Sequence, residues 1–279
     1  MLTAFELYLK DYNYGPKGKV LDAVTYSILN AGKRIRPMIL LNLLNDYNVD
    51  IKEGFSSALA LEMIHNYSLI HDDLPAMDND DYRRGKPSTH KAFGQDIAIL
   101  AGDALLTMAF QVISDDQTLA NDTRVKLISL LSKHAGINGM IYGQQLDLNY
   151  AGKNVGIAQI DQINIYKTSN LLIFAMLAAA TIAKKPNDFE LLEELATKLG
   201  LAFQIQDDVF DVTKSFEDLG KKPSDEINNK STYVKVLGLN KTRMILEKLF
   251  NECFIIVDDL NLNSDNLFKI VKKIQERIN

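Results

Sequence analysis

The stretch LIHDDLPAMDNDDYRRGKPSTH, residues 69–90, sets five aspartates beside two adjacent arginines, with a proline among the acids. Upstream, residues 52–74 place apolar side chains at helical rather than alternating spacing, with ALALEMIHNYSLIH as the core of the helix. Pro75 disfavours a helical Leu74, so the helix must stop there. Asp72 and Asp73 therefore fall in its last turn, where the macrodipole is negative and each anion costs about 0.3–1 kcal/mol. Carboxylates packed this closely repel one another unless something cationic lies between them. Taken alone, the cluster reads equally well as a solvated acidic loop.

Outward from this helix, nearly every long segment has helical periodicity. The spacing predicts helices over 2–12, 18–31, 36–47, 52–74, 93–114, 122–149, 159–183, 187–213, 230–238, 241–258 and 264–277. The breakers fall between them: Gly15-Pro16, Pro75, Gly85-Lys86-Pro87, Gly152, Pro186 and the run from Gly220 to Pro223. No stretch reads as a strand, and no polar linker divides the chain. The expectation is an all-α fold, one domain over residues 1–279, with long helices around a common interior.

Composition narrows the function. Apolar residues make up 47% and charged residues 24%, as in ordinary soluble proteins. A net charge of −5 with no basic stripe argues against nucleic acid as a partner. The single cysteine, Cys253, forms no internal disulfide and fits the reducing cytoplasm. The N-terminus, MLTAFELYLKDYNYG, lacks the basic-then-apolar order of a signal peptide. The apolar run near residues 171–183 is too short for a membrane span and reads as a buried helix, so no integral membrane segment is expected.

A second acidic cluster lies in FQIQDDVFDV, residues 203–212. Asp207 and Asp211 are four residues apart and share one helix face, with Asp208 at its edge. Carboxylates on a helix flanked by apolar residues need a metal or basic partners. Two such clusters are far more specific than one, and carboxylates are the hard ligands that magnesium shares with substrate phosphates. Cations accompany them: Lys33, Arg34 and Arg36 in GKRIRP (residues 32–37), Arg83-Arg84, Lys167-Thr168, and Lys221, Lys222 and Lys230. Arginine forks suit phosphate oxygens. Together the two sets describe a site that holds anionic phosphates through metal and basic side chains.

In order and spacing, GKRIRP, HDDLPAMDNDDYRRG, GQQLD (143–147), YKTSN (166–170), FQIQDD with Asp211, and LGKKPSDEINNKSTY (219–233) resemble the trans-isoprenyl diphosphate synthases, most closely the bacterial farnesyl diphosphate synthases. The resemblance covers residues 25–240. It implies long helices around a deep cavity with both aspartate motifs at its mouth. It implies condensation of isopentenyl diphosphate with dimethylallyl or geranyl diphosphate, assisted by Mg2+, and usually a homodimer, for which the apolar helices 93–114 and 122–141 offer a face. Carried over, Asp72, Asp73 and Asp78 would bind magnesium from one wall and Asp207, with Asp211, from the other; Asp208 joins them as a catalytic candidate. Arg83, Lys167, Thr168, Gln204, Lys221 and Lys230 would hold the allylic diphosphate, and Lys33, Arg36, His65 and Arg84 the isopentenyl diphosphate.

The chain departs from the family pattern at Ala31, often glycine, at Ser169-Asn170, more usually glycine-alanine, and at Val234, frequently proline. Tyr67 and Ser68 lie about one helical turn below Asp72, roughly 6–7 Å deeper at ~1.5 Å per residue. An aromatic there, with the two extra residues Pro75-Ala76 inside the motif, is the pattern of the bacterial farnesyl type and implies a C15 product. A geranylgeranyl or other chain-length synthase, a class I terpene cyclase and a non-catalytic synthase subunit are the alternatives. Against the cyclase stand the acceptor-site cations; against the subunit stands the retention of both aspartate motifs. The pair His71-Asp72 also brings to mind helical metal-dependent phosphohydrolases, but His90 and His134 lack ligand-like spacing. Lys10, Asp258, Asp259 and the KKIQER tail are expected on solvated faces.

Overall fold

A computed structural model describes residues 1–30, 32–213 and 231–277. The regular structure of the described residues is almost entirely helical. The helices are α1 (Leu2–Asp11), α2 (Lys19–Ile28), α3 (Ile35–Asp46), α4 (Phe55–Asp72), α5 (Thr89–Phe93), α6 (Gln95–Ser114), α7 (Asn121–Ala135) and α8 (Met140–Tyr150). Then follow α9 (Ile157–Asn164), a π turn over Ile165–Ser169, α10 (Asn170–Ile182), α11 (Phe189–Thr213), α12 (Tyr233–Leu237), α13 (Leu239–Asp259) and α14 (Asn266–Gln275).

Two helices form the centre. The α10 sequence NLLIFAMLAAATI carries no charge, and nearly every side chain in it is buried, against α3, α7 and α11. Helix α4 is buried from Phe55 almost without break to Ile70 and packs mainly on α6. Such helices have no polar face and need partners on every side. The surrounding helices supply those partners, Phe5, Ile39, Leu105, Leu131, Leu195 and Val271 being fully buried examples.

The predicted boundaries hold within a few residues except in two places. The expected helix 122–149 is two helices, α7 and α8, broken at Gly136–Gly139. A side chain at Gly139 would lie 2.1 Å from the His134 carbonyl oxygen. The loop after α4 contains a hairpin that periodicity did not suggest, Tyr82–Arg83 against Lys86–Pro87. Its central residues, Arg84 and Gly85, have φ of +54° and +75°. That pair of left-handed residues makes a tight primed turn, whose twist matches the strands.

Two stretches, Gln95–Ser114 and Ile157–Ile182, are long and apolar enough to cross a bilayer by length and composition. The second is mostly enclosed by the bundle, whereas the first leaves Ile99 and Leu100 about half exposed.

The C-terminal helix is tied to α3 by one buried carboxylate. Asp46 is fully buried and accepts from the backbone N–H groups of Asn266 (3.1 Å) and Leu267 (2.7 Å), from Asn266 Nδ2 (2.7 Å) and from the Ser264 hydroxyl. It thus caps the N-terminus of α14 from 220 residues away. Asp46→Ala leaves these donors without an acceptor and is expected to cost about 2–3 kcal/mol. Denaturant unfolding measures the loss, and hydrogen exchange should show α14 opening first. A change below half that size would mean that α14 is held by its apolar face alone.

Candidate active site

The C-terminal end of α4, the N-terminal end of α3, the hairpin, α8, the π turn and α11 converge on one cavity of about 1090 Å3. Its lining includes Lys33, Arg36, His65, Tyr67, Ser68, Asp72, Arg83, Arg84, Lys167, Thr168, Gln204 and Asp207. Twelve of the residues singled out in the sequence thus share one wall surface. Asp73, Asp78, Asp208 and Asp211 are not among its lining, and Lys221 and Lys230 lie outside the described residues, as does Ala31.

Helix α4 stops at Asp72, two residues earlier than Pro75 alone required, and Asp73 is its helical C-cap. The two carboxylates then diverge. Asp72 points into the cavity, where burial pushes its pKa up to about 6 against the pull of Lys167, with Asp78 adding repulsion. Asp73 turns the other way. It accepts from Arg83 Nε at 3.0 Å and from the other end of the same guanidinium, which also reaches Asp80 at 3.3 Å. The adjacent arginines separate because Arg83 ends a strand while Arg84 enters the turn in the left-handed region, with φ of +54°. Arg83 goes to Asp73, while Arg84 donates to the Asn30 carbonyl and lies 3.5 Å from His65 Nε2.

Lys167 bridges two acids, 2.7 Å from Asp147 and 3.7 Å from Asp72. Asp147 belongs to the GQQLD motif and had no role from sequence. The lysine is carried by the π turn, a feature that recurs at functional sites because it redirects side chains that an α turn would aim elsewhere. Helix α8 crosses it at Gly143, where a Cβ would sit 2.1 Å from the Lys167 backbone nitrogen. Beside it Thr168 donates to Gln204 Oε1 at 2.7 Å, joining the turn to α11.

The opposite wall is cationic. Burial, reinforced by Arg36 and Arg84, holds His65 well below the usual imidazole range. Burial likewise lowers Arg36, with the Arg84 charge acting in the same direction, and lowers Arg84, with Arg34 and Arg83 acting in the same direction. Arg36 Nε is buried without a hydrogen bond. Mutually repelling cations at a cavity wall, one with an orphaned donor, are what an anionic ligand would satisfy. Arg34, their neighbour in GKRIRP, has a different job. It is buried and bonded to Glu6, Glu62 and the Ile28 carbonyl.

The second acidic cluster also divides. Asp207 faces the cavity and is ion-paired to Arg277. That arginine stacks 4.0 Å from the Phe203 ring centroid and donates to Gln206 at 3.0 Å. The expectation that the KKIQER tail is a solvated face therefore fails at Arg277, whose side chain is nine-tenths buried; Lys272 and Glu276 do pair on the surface. Asp208 accepts from the Tyr233 N–H at 2.9 Å and anchors α12, the segment that follows the second motif.

The donor set suits a hard divalent cation. Asp72 is a desolvated carboxylate in need of positive charge, with Asp78 on the loop beside it and Asp207 across the mouth. Among the described residues no three acidic or imidazole side chains already converge on a single point. A magnesium ion does not require such a cage, because it takes one or two carboxylates, keeps waters and draws its other ligands from substrate phosphates.

Comparison with known proteins agrees with this geometry. The profile of the family described as polyprenyl synthetase matches residues 18–260. The chain is 44% identical over 263 residues to farnesyl diphosphate synthase of Micrococcus luteus, covering 94% of this chain and 90% of the relative. It is 45% identical over 244 residues to the Geobacillus stearothermophilus enzyme of the same name, covering 85% and 80%. Among solved structures, a geranyltransferase from Helicobacter pylori, complexed with magnesium and isoprenyl diphosphate, superimposes with a TM-score of 0.87 at 32% identity, covering 99% of this chain and 94% of that one.

The Asp73–Arg83 pair yields a pH test. Burial raises the Asp73 pKa and Arg83 opposes the rise. Arg83→Gln removes that opposition, so the folded carboxyl moves further above its unfolded value near ~3.9. A raised carboxyl binds its proton more readily in the folded state, so stability falls as pH rises through that window and returns as pH drops. The variant should lose about 2 kcal/mol at pH 7, less than the ~3–5 of a fully buried pair because Arg83 is one-third exposed. The deficit should shrink steadily as the pH of urea melts is lowered from 7 to 4. A pH-independent deficit would locate the loss in packing rather than charge.

Proposed function

The chain belongs to the polyprenyl synthetase family, and from that premise we propose that it is a Mg2+-dependent farnesyl diphosphate synthase. It condenses isopentenyl diphosphate head-to-tail with dimethylallyl or geranyl diphosphate. The observation that supports this reading is one cavity lined by Asp72 and Asp207, by the cations Lys33, Arg36 and Arg84, and by the buried ring of Tyr67, which we read as its floor.

Arg83, Lys167, Thr168 and Gln204 hold the allylic diphosphate, with Lys221 and Lys230 as further contacts. Lys33, Arg36, His65 and Arg84 hold isopentenyl diphosphate, whose charge relieves the repulsion among them. Asp72 and Asp78 from one side, and Asp207 with Asp211 from the other, would hold the metal. Asp73 supports the same end of the site by fixing Arg83. When bound, magnesium neutralises charge on the leaving diphosphate. Lys167 and Arg83 add fixed positive charge at the same place, which favours ionisation of the allylic C–O bond. The isopentenyl double bond attacks the allylic cation, a proton is lost, and the departed diphosphate is the base. No protein nucleophile is needed. Apolar lining such as Leu106, Met140, Leu171 and Phe203 keeps water from the cation.

Tyr67 is 5% exposed, lines the cavity and packs edge-on against His71 with centroids 5.8 Å apart. Its hydroxyl is buried without a partner, and burial pushes its pKa up to about 12. A ring so enclosed sets the depth available to the growing chain. Geranylgeranyl synthases such as that of Catharanthus roseus, 41% identical over 239 residues, make C20 the competing product class.

We further read residues 1–279 as one catalytic domain, cytoplasmic and homodimeric. The apolar side chains Ile99, Leu100, Ile137 and Ile141, all more than 40% exposed on α6, at the α7–α8 break and on α8, are the face for a second copy.

Purified protein with radiolabelled isopentenyl diphosphate and dimethylallyl diphosphate should form C15 product that EDTA abolishes. C20 or longer would keep the synthase and discard the Tyr67 floor. No condensation with either dimethylallyl or geranyl diphosphate would favour a cyclase or a non-catalytic subunit. Tyr67→Ala is expected to extend the product beyond C15, read by chromatography. An active variant confined to C15 would show that the floor lies elsewhere.

A further inference from the structure

The π turn that carries Lys167 and Thr168 is held from beneath by the last residues of its own motif and by a histidine that no motif includes. Asn170, the first residue of α10, folds back under the turn. Its Nδ2 donates to the carbonyls of Ile165 (3.2 Å) and Tyr166 (3.3 Å), the two residues before Lys167. With the amide nitrogen committed to carbonyls, Oδ1 must face the other way. There it accepts from His134 Nδ1 at 2.8 Å, at the end of α7. That fixes the neutral tautomer with Nδ1 protonated, and Nε2 is buried without a partner. His134 is 1% exposed and Asn170 6%. Burial holds the imidazole below its usual range, so the ring stays neutral.

Ser169 braces the other side of the turn. Its hydroxyl donates to the Thr197 carbonyl on α11 at 3.2 Å. It occupies the space over Gly200, where a Cβ would lie 2.1 Å from Ser169 Oγ. Ser169 and Asn170 are the two positions where YKTSN departs from the family's glycine-alanine. Each therefore has a matched partner, Gly200 for the serine and His134 for the asparagine.

These contacts matter because a π turn competes with an α turn. It holds one residue more per hydrogen-bonded ring and leaves a carbonyl without its usual i+4 donor. Relaxing it by one residue would rotate Lys167 and Thr168 by about 100° relative to α10. Two side-chain bonds to the carbonyls that precede Lys167 oppose that relaxation.

We propose that His134 and Asn170 are positioning residues that lock the π turn, and so pre-place Lys167 and Thr168 for the diphosphate of the allylic substrate. The role rests on the synthase reading above, and its test includes a measurement independent of turnover.

Asn170→Ala should lower kcat/KM for dimethylallyl diphosphate about tenfold, the size expected for one lost positioning hydrogen bond. KM for isopentenyl diphosphate should stay within about twofold, because its cations sit on the opposite wall. His134→Ala should behave alike, and the double variant should be no worse than the poorer single, since both act through one amide. His134→Asn, whose side-chain N–H can take the Nδ1 position, should recover most of the loss. Calorimetry with inorganic pyrophosphate and Mg2+ should show the same ranking of affinities, and thermal unfolding confirms that each variant is folded. Unchanged allylic kinetics and pyrophosphate affinity in folded Asn170→Ala would overturn the proposal. So would a parallel loss for both substrates that tracks the unfolding midpoint, or a His134→Asn variant no better than His134→Ala. If the wild type condenses nothing while the pyrophosphate ranking holds, the synthase reading fails and the positioning role stands.

Discussion

Lys167 lies between Asp147 and Asp72, and most of the site is organised by that one ammonium group. The end of α4 would otherwise carry a desolvated carboxylate at the negative pole of a helix, with only the weaker pull of Arg83 to offset it. The lysine reaches Asp72 because the π turn aims it there, and the turn holds because α8 crosses it at Gly143 with no intervening side chain. Fold and site are thus coupled at a backbone contact. The end of α4 and the start of α10 meet at the mouth of the cavity, and the charges on each would be unfavourable without the other.

Even with Lys167 in place, the charges do not cancel. Burial leaves Asp72 titrating near 6, and His65, Arg36 and Arg84 remain below their ordinary ranges. One wall lacks a cation and the other lacks an anion. Direct pairing across the cavity would satisfy both, but the hairpin sends Arg83 to Asp73 and Arg84 toward His65. For the proposed ligands, a metal and two diphosphates, a site held in this unfavourable state would have its desolvation already present in the fold, which is the logic of preorganised electrostatics.

Much of this was legible in the sequence wherever the signal was local. Pro75 marks the end of α4 to within two residues, the spacing of Asp207 and Asp211 puts them on one helix, and the continuous apolar run of 171–183 is a buried helix. The α7–α8 break was signalled by Gly136 and Gly139 and could have been read from them. What was hidden depends on partners distant in sequence or on turn chirality. Nothing near Asp73 in the sequence says that it pairs with Arg83, ten residues on, across the loop that the hairpin closes. Nothing in KKIQER distinguishes Arg277 from its solvated neighbours, because its partner Asp207 lies 70 residues earlier.

Arg277 shows how far such a hidden partner reaches. It arrives at Asp207 only because α14 is docked, and α14 is docked through Asp46 at the far end of α3. Helix α3 also begins with the GKRIRP cations that line the opposite wall. One helix therefore sets the cationic wall with its N-terminal end and, through the capped α14, the counter-charge of the second aspartate cluster with its C-terminal end. A disturbance at Asp46, remote from the cavity, would reach the mouth through Arg277 while leaving Lys33 and Arg36 where they are. The second aspartate cluster therefore depends on a contact outside the cavity, whereas the cationic wall is carried by α3 itself.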